Sequence, residues 1–230
     1  MIKGILIDLG NTIVYNKNFN FNNGLMVIYN NIIEPKISYQ ELIKFTDNFK
    51  LNTYDIRDRF EICFLNYLNY LQKYFDLKFK VSLSELEYLF TLKVEDLELI
   101  DGVIDFLKYL KESKKKVVIL SNSTFSSLAL KRNLEDLGIL DYFDQVLSSG
   151  DLLIRKPYME FFNLGIKVLN LPKEEIMYIG NDYYFDVHGA NLAGLDVIWL
   201  NEKDELNKDN LKVNIFKNYQ EITKYIKERG

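Results

Sequence analysis

Four apolar, strand-like runs in this chain each stop at a residue able to handle a phosphate or a metal ion, and that coincidence constrains the fold more than any other feature. ILID ends at Asp8, VVILS ends at Ser121, QVLSSGDLLIRK reaches Lys156 shortly after its run, and IMYIGND ends at Asn181 and Asp182. In an open parallel α/β sheet, ligands bind outside the carboxyl ends of the strands, so residues just past those ends converge in space although far apart in sequence. One crevice then holds a carboxylate, a hydroxyl, an ammonium and a second acidic cluster.

Between these runs the periodicity changes. Residues 2–9, 116–122, 144–148, 176–180 and 197–200 read as buried parallel strands, without the polar alternation of a half-exposed sheet. Val103, Phe106, Leu107 and Leu110 recur at helical spacing, as do residues 128–137 up to Gly138, residues 161–169 and a C-terminal segment around 222–226. Strands alternating with helices predict an α/β fold with a doubly wound parallel sheet.

Residues 16–97 differ, being rich in Asn, Tyr, Phe and Leu with no strand-like run. Ser38-x-x-Glu41 and Ser84-x-x-Glu87 read as capping boxes at two helix starts. Ile56, Phe60, Cys63, Tyr67, Tyr70 and Tyr74 form one helical stripe, and Phe64, Leu68, Leu71 and Phe75 a second. A helix apolar on two sides is packed on two sides. An all-helical insertion is expected between the first and second sheet strands.

The chain has 230 residues, 48% of them hydrophobic, more than the common single-domain length of ~100–150 and enough for a core with an insertion. The single cysteine, Cys63, excludes an internal disulfide and fits a reducing compartment. No apolar run approaches the ~20 residues that cross a bilayer, and Met1 leads into a strand-like segment without signal-peptide character, so a soluble cytoplasmic protein away from membranes is expected. A net charge of −4 argues against a nucleic-acid surface, which needs clustered Lys and Arg. The Lys run at 114–116 reads as a solvated turn.

The order and spacing of the four motifs resemble those of the haloacid dehalogenase-like hydrolase superfamily. Its members carry an Asp nucleophile after the first strand, Ser or Thr after the second, Lys before the fourth and an acidic pair after the fourth. Here the motifs are DLGNT (8–12), LSNS (120–123), RKP (155–157) and GNDYYFD (180–186). The resemblance covers the chain apart from roughly residues 16–97. It implies a Rossmann-like, doubly wound core over residues 1–15 and 98–230, with residues 16–97 as the inserted helical cap that closes the crevice, excludes water and selects the substrate.

A phosphate monoester anion repels a nucleophile, so its hydrolysis benefits from a metal shared with a protein carboxylate and from nearby cations. Mg²⁺ suits such a site, needing one or two carboxylates besides phosphate oxygens and water. The resemblance makes Asp8 the nucleophile that forms an aspartyl-phosphate, its other oxygen and the Gly10 carbonyl serving Mg²⁺. It gives Ser121 and neighbouring groups of Gly10, Asn11, Thr12 and Asn122 to the transferring phosphoryl group, and Lys156 to both phosphate and Asp8. The last motif admits two registers. Gly180-Asn181-x4-Asp186 aligns Asn181 with the metal-binding Asp, whereas Asp182-x3-Asp186 matches a shorter form; because an amide brings no charge, Asp182 is the preferred ligand and Asp186 the second carboxylate, direct or through water.

Gly10 departs from the pattern, since phosphatases of this superfamily usually carry there a second Asp that protonates the leaving group. Losing a general acid costs ~10²–10⁴ in rate. Asp55, Asp58 or Glu61 could substitute from the insertion. The expected activity is Mg²⁺-dependent hydrolysis of a small phosphorylated metabolite; the alternatives are a metal-independent 2-haloacid dehalogenase, or a binding or regulatory protein of this fold with little turnover. Plainer readings stand beside these: Asp8 or Asp186 as a helix cap, Ser121 and Lys156 as turn and surface residues, Arg57 and Arg59 on a charged helix face, His188 on a helix surface, and the Tyr and Phe stripes as helical core.

Overall fold

The computed structural model describes residues 1–53 and 60–229. In chain order, β1 (Gly4–Ile7) and β2 (Val14–Asn16) lead into four helices, α1 (Phe21–Asn30), α2 (Tyr39–Thr53), α3 (Phe64–Tyr74) and α4 (Leu83–Val94). The chain returns through β3 (Leu97–Leu99), α5 (Val103–Glu112), β4 (Lys116–Ser121), α6 (Ser127–Asp136) and β5 (Gln145–Ser148). Then come α7 (Ser149–Leu152), α8 (Met159–Leu169), β6 (Ile176–Gly180), a π-helical turn over Tyr183–His188, α9 (Gly189–Leu192), β7 (Asp196–Leu200), β8 (Asn214–Phe216) and α10 (Tyr219–Glu228).

Six strands form one parallel sheet in the order β5-β4-β1-β6-β7-β8. Alternate side chains leave its two faces, which is why the strand sequences carry no polar alternation. Ile5, Ile7, Val117, Ile119, Met177 and Ile179 pack on one side with α5, α6 and α10. Leu6, Val118, Leu120, Tyr178, Val197 and Trp199 pack on the other with α8 and α9. The five strands expected from sequence are present. β8 was not expected, because its three residues follow a polar stretch and carry no apolar run.

The helical insert leaves and re-enters through a second unexpected feature, an antiparallel pair in which Val14 faces Leu99 and Asn16 faces Leu97. Strands of three residues fall below what periodicity can register. The boundary read from sequence runs through this pair. Within the insert, Leu25, Ile28, Leu42, Leu68, Leu71, Leu86 and Phe90 are buried in a cluster continuous with the α5–α6 face of the sheet. Phe64 joins the two by an edge contact to Phe125, 5.4 Å between centroids.

The capping box at Ser38 forms reciprocally, with the Ser38 N–H donating to Glu41 at 2.7 Å and the Glu41 N–H donating to Ser38 Oγ at 3.2 Å. The one expected at Ser84 does not. Ser82 caps α4 by accepting from the Glu85 N–H at 3.2 Å, because the same Ser-x-x-Glu spacing occurs two residues earlier, and Glu87 is instead buried against Ser126. The long stripe predicted from residue 56 also shortens: Cys63 is the N-cap residue of α3, and Phe60 pairs with Ile154 in an isolated bridge. Tyr67 is buried, while Tyr70 and Tyr74 are largely exposed, with their rings against Phe45. Ile56, Asp55, Arg57, Asp58 and Arg59 lie outside the described residues.

Candidate active site

The four sequence motifs meet at the carboxyl end of the sheet. β1 hands over to Asp8, whose N–H bonds the Ile179 carbonyl at 2.9 Å, and the chain then turns tightly, with the Ile13 and Val14 N–H groups both returning to the Leu9 carbonyl. That turn places Thr12 beneath Asp8. Thr12 is fully buried, and its hydroxyl lies 3.0 Å from Asp8 Oδ2 and 3.1 Å from Asn181 Oδ1. Tyr219 of α10 holds the turn from behind by donating its hydroxyl to the Thr12 carbonyl at 2.5 Å.

Lys156 is the centre of the charge arrangement. Its ammonium is buried and donates to Asp8 Oδ1 at 2.5 Å, to Asp186 Oδ1 at 2.7 Å and to the Tyr178 hydroxyl at 3.1 Å. Its backbone is fixed to the second motif: Asn122 Oδ1 accepts the Lys156 N–H at 2.8 Å and Asn122 Nδ2 donates to the Lys156 carbonyl at 2.9 Å. Burial alone would depress the ammonium, but Asp186 and Asp8 hold it above its usual range, so it stays charged. Burial pushes the Asp8 carboxyl up to about 6, Lys156 opposing the rise and Asp186 adding to it. At neutral pH Asp8 is therefore a carboxylate held by a cation.

Asp186 is the most constrained group. Its Oδ1 accepts from Lys156 and from Tyr178 at 2.5 Å, and its Oδ2 accepts the Asn181 and Asp182 N–H groups at 3.1 and 2.9 Å. A Cβ on Gly180 would stand 2.5 Å from this carboxyl carbon, so only glycine lets the strand end close on it. The resulting loop turns Asn181 towards Thr12 and Asp8, while Asp182 Oδ1 caps the π-helical turn through the Phe185 N–H at 2.7 Å. Capping thus falls to Asp182 and not to Asp186. His188 is half-buried, its ring stacked on Tyr184.

A cavity of about 400 Å³ opens over these residues, lined among others by Asp8, Gly10, Asn11, Ser121, Asn122, Lys156, Asn181, Asp182 and Asp186. Thr12 is not part of its wall. Glu61 is buried away from it, 3.7 Å from Arg155 and within 3.2 Å of the Ser149 hydroxyl. Gly10 has no positive φ, and nothing lies within 4 Å of where its Cβ would stand. Sequence reading passed over Tyr178, which inside a strand is indistinguishable from a core aromatic, and over Glu95 and Asn133, which also line the cavity from α4's end and α6.

Among the described residues, no three His, Cys, Asp or Glu side chains form a ready metal cage. The donors present still fit a small, hard dication that retains water: the Asp8 carboxylate, the Gly10 carbonyl, the Asn181 amide oxygen and the Asp182 carboxylate all belong to residues of one cavity wall.

Residues 2–194 match the model of the haloacid dehalogenase-like hydrolases. A ribulose-1,5-bisphosphate 5-phosphatase of Halopiger xanaduensis is 30% identical over 112 residues, 49% of this chain and 46% of that protein. The matched part of the chain spans under half the length of the first curated relatives. Among solved structures, a HAD phosphatase from Thermococcus onnurineus superposes with a TM-score of 0.63 at 22% identity, over 98% of both chains. The magnesium-bound HAD-hydrolase YfnB of Bacillus subtilis superposes with a TM-score of 0.60 at 20% identity, again over 98% of both. With its motifs gathered at one sheet edge and its family match running through the core and the insert alike, the chain belongs to the haloacid dehalogenase-like hydrolases.

Proposed function

We propose that this hydrolase is a Mg²⁺-dependent phosphatase of small phosphorylated metabolites, working through an aspartyl-phosphate on Asp8. The observation that carries the reading is the Asp8 carboxylate at the cavity wall, one oxygen held by buried Lys156 and the other by Thr12. A carboxylate so fixed keeps its orientation when a phosphate dianion approaches, and the ammonium offsets charge on the transferring group. The relative in Halopiger xanaduensis, a phosphatase of a sugar bisphosphate by name, supports the same reaction class.

Asp8 attacks phosphorus, the bond to the leaving oxygen breaks, and water later hydrolyses the acyl phosphate and frees Asp8. Ser121, the N–H groups of Gly10 and Asn122 and the Asn11 side chain bind phosphate oxygens, the Asn11 N–H being donated to the Val14 carbonyl. Thr12 and Asn122 act through others, Thr12 by fixing Asp8 and Asn122 by fixing Lys156. Asp8, the Gly10 carbonyl, Asp182 and Asn181 would hold Mg²⁺, with Asp186 setting their loop. When bound, the ion supplies positive charge between carboxylate and phosphate. The four-helix insert serves as the cap.

The test is hydrolysis of p-nitrophenyl phosphate, whose leaving group needs little protonation. Activity is expected to vanish in EDTA and to return with Mg²⁺. Turnover that persists in chelator, or turnover of 2-chloropropionate in its place, would overturn the reading.

A further inference from the structure

The cavity that holds Asp8 has a far end with chemistry of its own. The β2–β3 pair runs alongside it: Gly10 bridges Val14, Val14 faces Leu99, and beyond the last rung the Lys17 N–H bonds the Asp96 carbonyl and the Asn20 N–H bonds the Val94 carbonyl. Glu95 caps the end of α4, two residues before β3 begins at Leu97. It lines the same cavity as Asp8, in the space open to the rest of a substrate whose phosphate meets Asp8. Across the cavity α6 presents Asn133 among Leu130, Leu134 and Leu137, with Leu97 beside Glu95.

The polar pair is oriented. Asn133 Nδ2 donates to Glu95 Oε2 at 3.2 Å, and Asn133 Oδ1 lies 3.1 Å from Thr91 Oγ1, whose one hydrogen is shared with the Tyr88 carbonyl at 2.8 Å. Glu95 Oε1 receives no hydrogen bond from the described residues. Among the described residues Glu95 forms no ion pair: of the two cations that line the cavity, Lys156 is engaged by Asp8 and Asp186, and Arg155 lies 3.7 Å from Glu61.

We propose that Glu95, oriented by Asn133, forms the leaving-group subsite: it selects phosphate monoesters whose alcohol carries hydrogen-bond donors, as hydroxyls or an ammonium, and rejects alcohols bearing a second negative charge. The proposal rests on the phosphatase reading above. A donor satisfies Oε1, whereas an anion meets a carboxylate between apolar walls, where repulsion is weakly screened. Burial pushes the Glu95 carboxyl up to about 7, so above that pH it is the ionised form that a substrate meets.

The experiment is competition against p-nitrophenyl phosphate with Mg²⁺ near pH 8, which reports affinity whether or not the competitor is turned over. The probes are glycerol 3-phosphate, O-phosphoethanolamine, n-propyl phosphate and 3-phosphoglycerate. Glycerol 3-phosphate and O-phosphoethanolamine are expected to bind at least about fivefold more tightly than 3-phosphoglycerate in the native protein. In Glu95→Gln, which keeps the shape and removes the charge, 3-phosphoglycerate should tighten at least about threefold relative to n-propyl phosphate. A smaller preference in the native protein, or a smaller change in the variant, overturns the subsite. Native protein that hydrolyses no p-nitrophenyl phosphate with Mg²⁺ removes the phosphatase reading and the subsite with it.

Discussion

The sheet edge and the helical insert bury their interiors by opposite means. At the sheet edge an ammonium, two carboxylates and a phenol exchange hydrogen bonds of 2.5–3.1 Å, each group meaningful only with the others in place. In the insert, Phe64 and Phe90 lean on each other and on Phe125 of the core, with ring centroids 4.4–6.0 Å apart. A polar lock fails when its cation is lost, because the carboxylates left behind have no water to turn to. An apolar cluster loses energy in proportion to what is removed and tolerates changes of shape. The first suits a reaction that needs fixed geometry.

The largest effect expected at the sheet edge is chemical. Asp8→Asn should lower turnover of p-nitrophenyl phosphate by at least about 10³-fold, since an amide is a poor nucleophile. Folding should not suffer. Ionised Asp8 carries a desolvation cost, as its carboxyl is pushed up to about 6 from 3.8, and the amide removes it. Melting without divalent ion should therefore hold or rise; a variant that melts normally and keeps most of its activity would show that Asp8 is not the nucleophile.

Lys156→Met and Leu68→Ala put the comparison itself to the test. Removing the ammonium leaves Asp8 and Asp186 buried without a cation, a loss of about 3–5 kcal/mol. Cutting Leu68, fully buried in the insert, costs about 2–5 kcal/mol through its cavity. The two differ in pH dependence. Carboxyls without their cation become protonated more readily as pH falls, and protonated carboxyls need no partner, so the Lys156→Met loss should shrink from pH 8 to pH 5. The Leu68→Ala loss should not change. Equal pH profiles in denaturant titrations would mean that the site is held by shape and not by charge.

The same contrast explains what the sequence discloses. Asp8, Ser121, Lys156 and Asp186 are legible because each follows an apolar run whose end is fixed by the sheet, so strand pattern and chemistry point to one place. Tyr178 is not, and Thr12 is legible only as part of the first motif, since the hydroxyls matter through partners up to 169 residues away. Asn181 shows the limit within a legible motif: both it and Asp182 line the cavity, in a loop held by the two N–H groups that Asp186 gathers, a conformation that spacing does not encode. The insert offers helices by periodicity, but the places of Glu87 and Glu95 depend on the packing of α4 against Ser126 and Asn133.

Gly10 joins the two regions, standing between the nucleophile and the pair of strands that leads into the insert. With no carboxylate there, kcat/KM should fall steeply as leaving-group pKa rises from aryl to alkyl phosphates. Its open surroundings and ordinary φ allow Gly10→Asp without a clash. That variant should raise kcat/KM for alkyl phosphates at least about tenfold relative to p-nitrophenyl phosphate, a modest part of what a positioned acid supplies. A flat native dependence with chemistry rate-limiting would instead mean that another acid is already in reach.

The smallest expected effect sharpens the insert's register. Both Ser82 and Ser84 stand at a Ser-x-x-Glu spacing, so sequence alone gives them equal claim to the start of α4. In the structure Ser82 has extended backbone, φ −63 and ψ 158, and its hydroxyl accepts the Glu85 N–H. Ser84 lies inside the helix, and its hydroxyl makes no hydrogen bond among the described residues. Ser82→Ala leaves an orphan N–H at the helix start and should cost about 1 kcal/mol. Ser84→Ala replaces a weaker helix former by the best one and should fall within about 0.5 kcal/mol of the native protein, on the stabilising side. Denaturant midpoints for the pair decide it: a larger loss at Ser84 would move the helix start two residues on, turn Glu87 from Ser126 towards the cap, and rotate the end of α4 that carries Glu95 into the cavity.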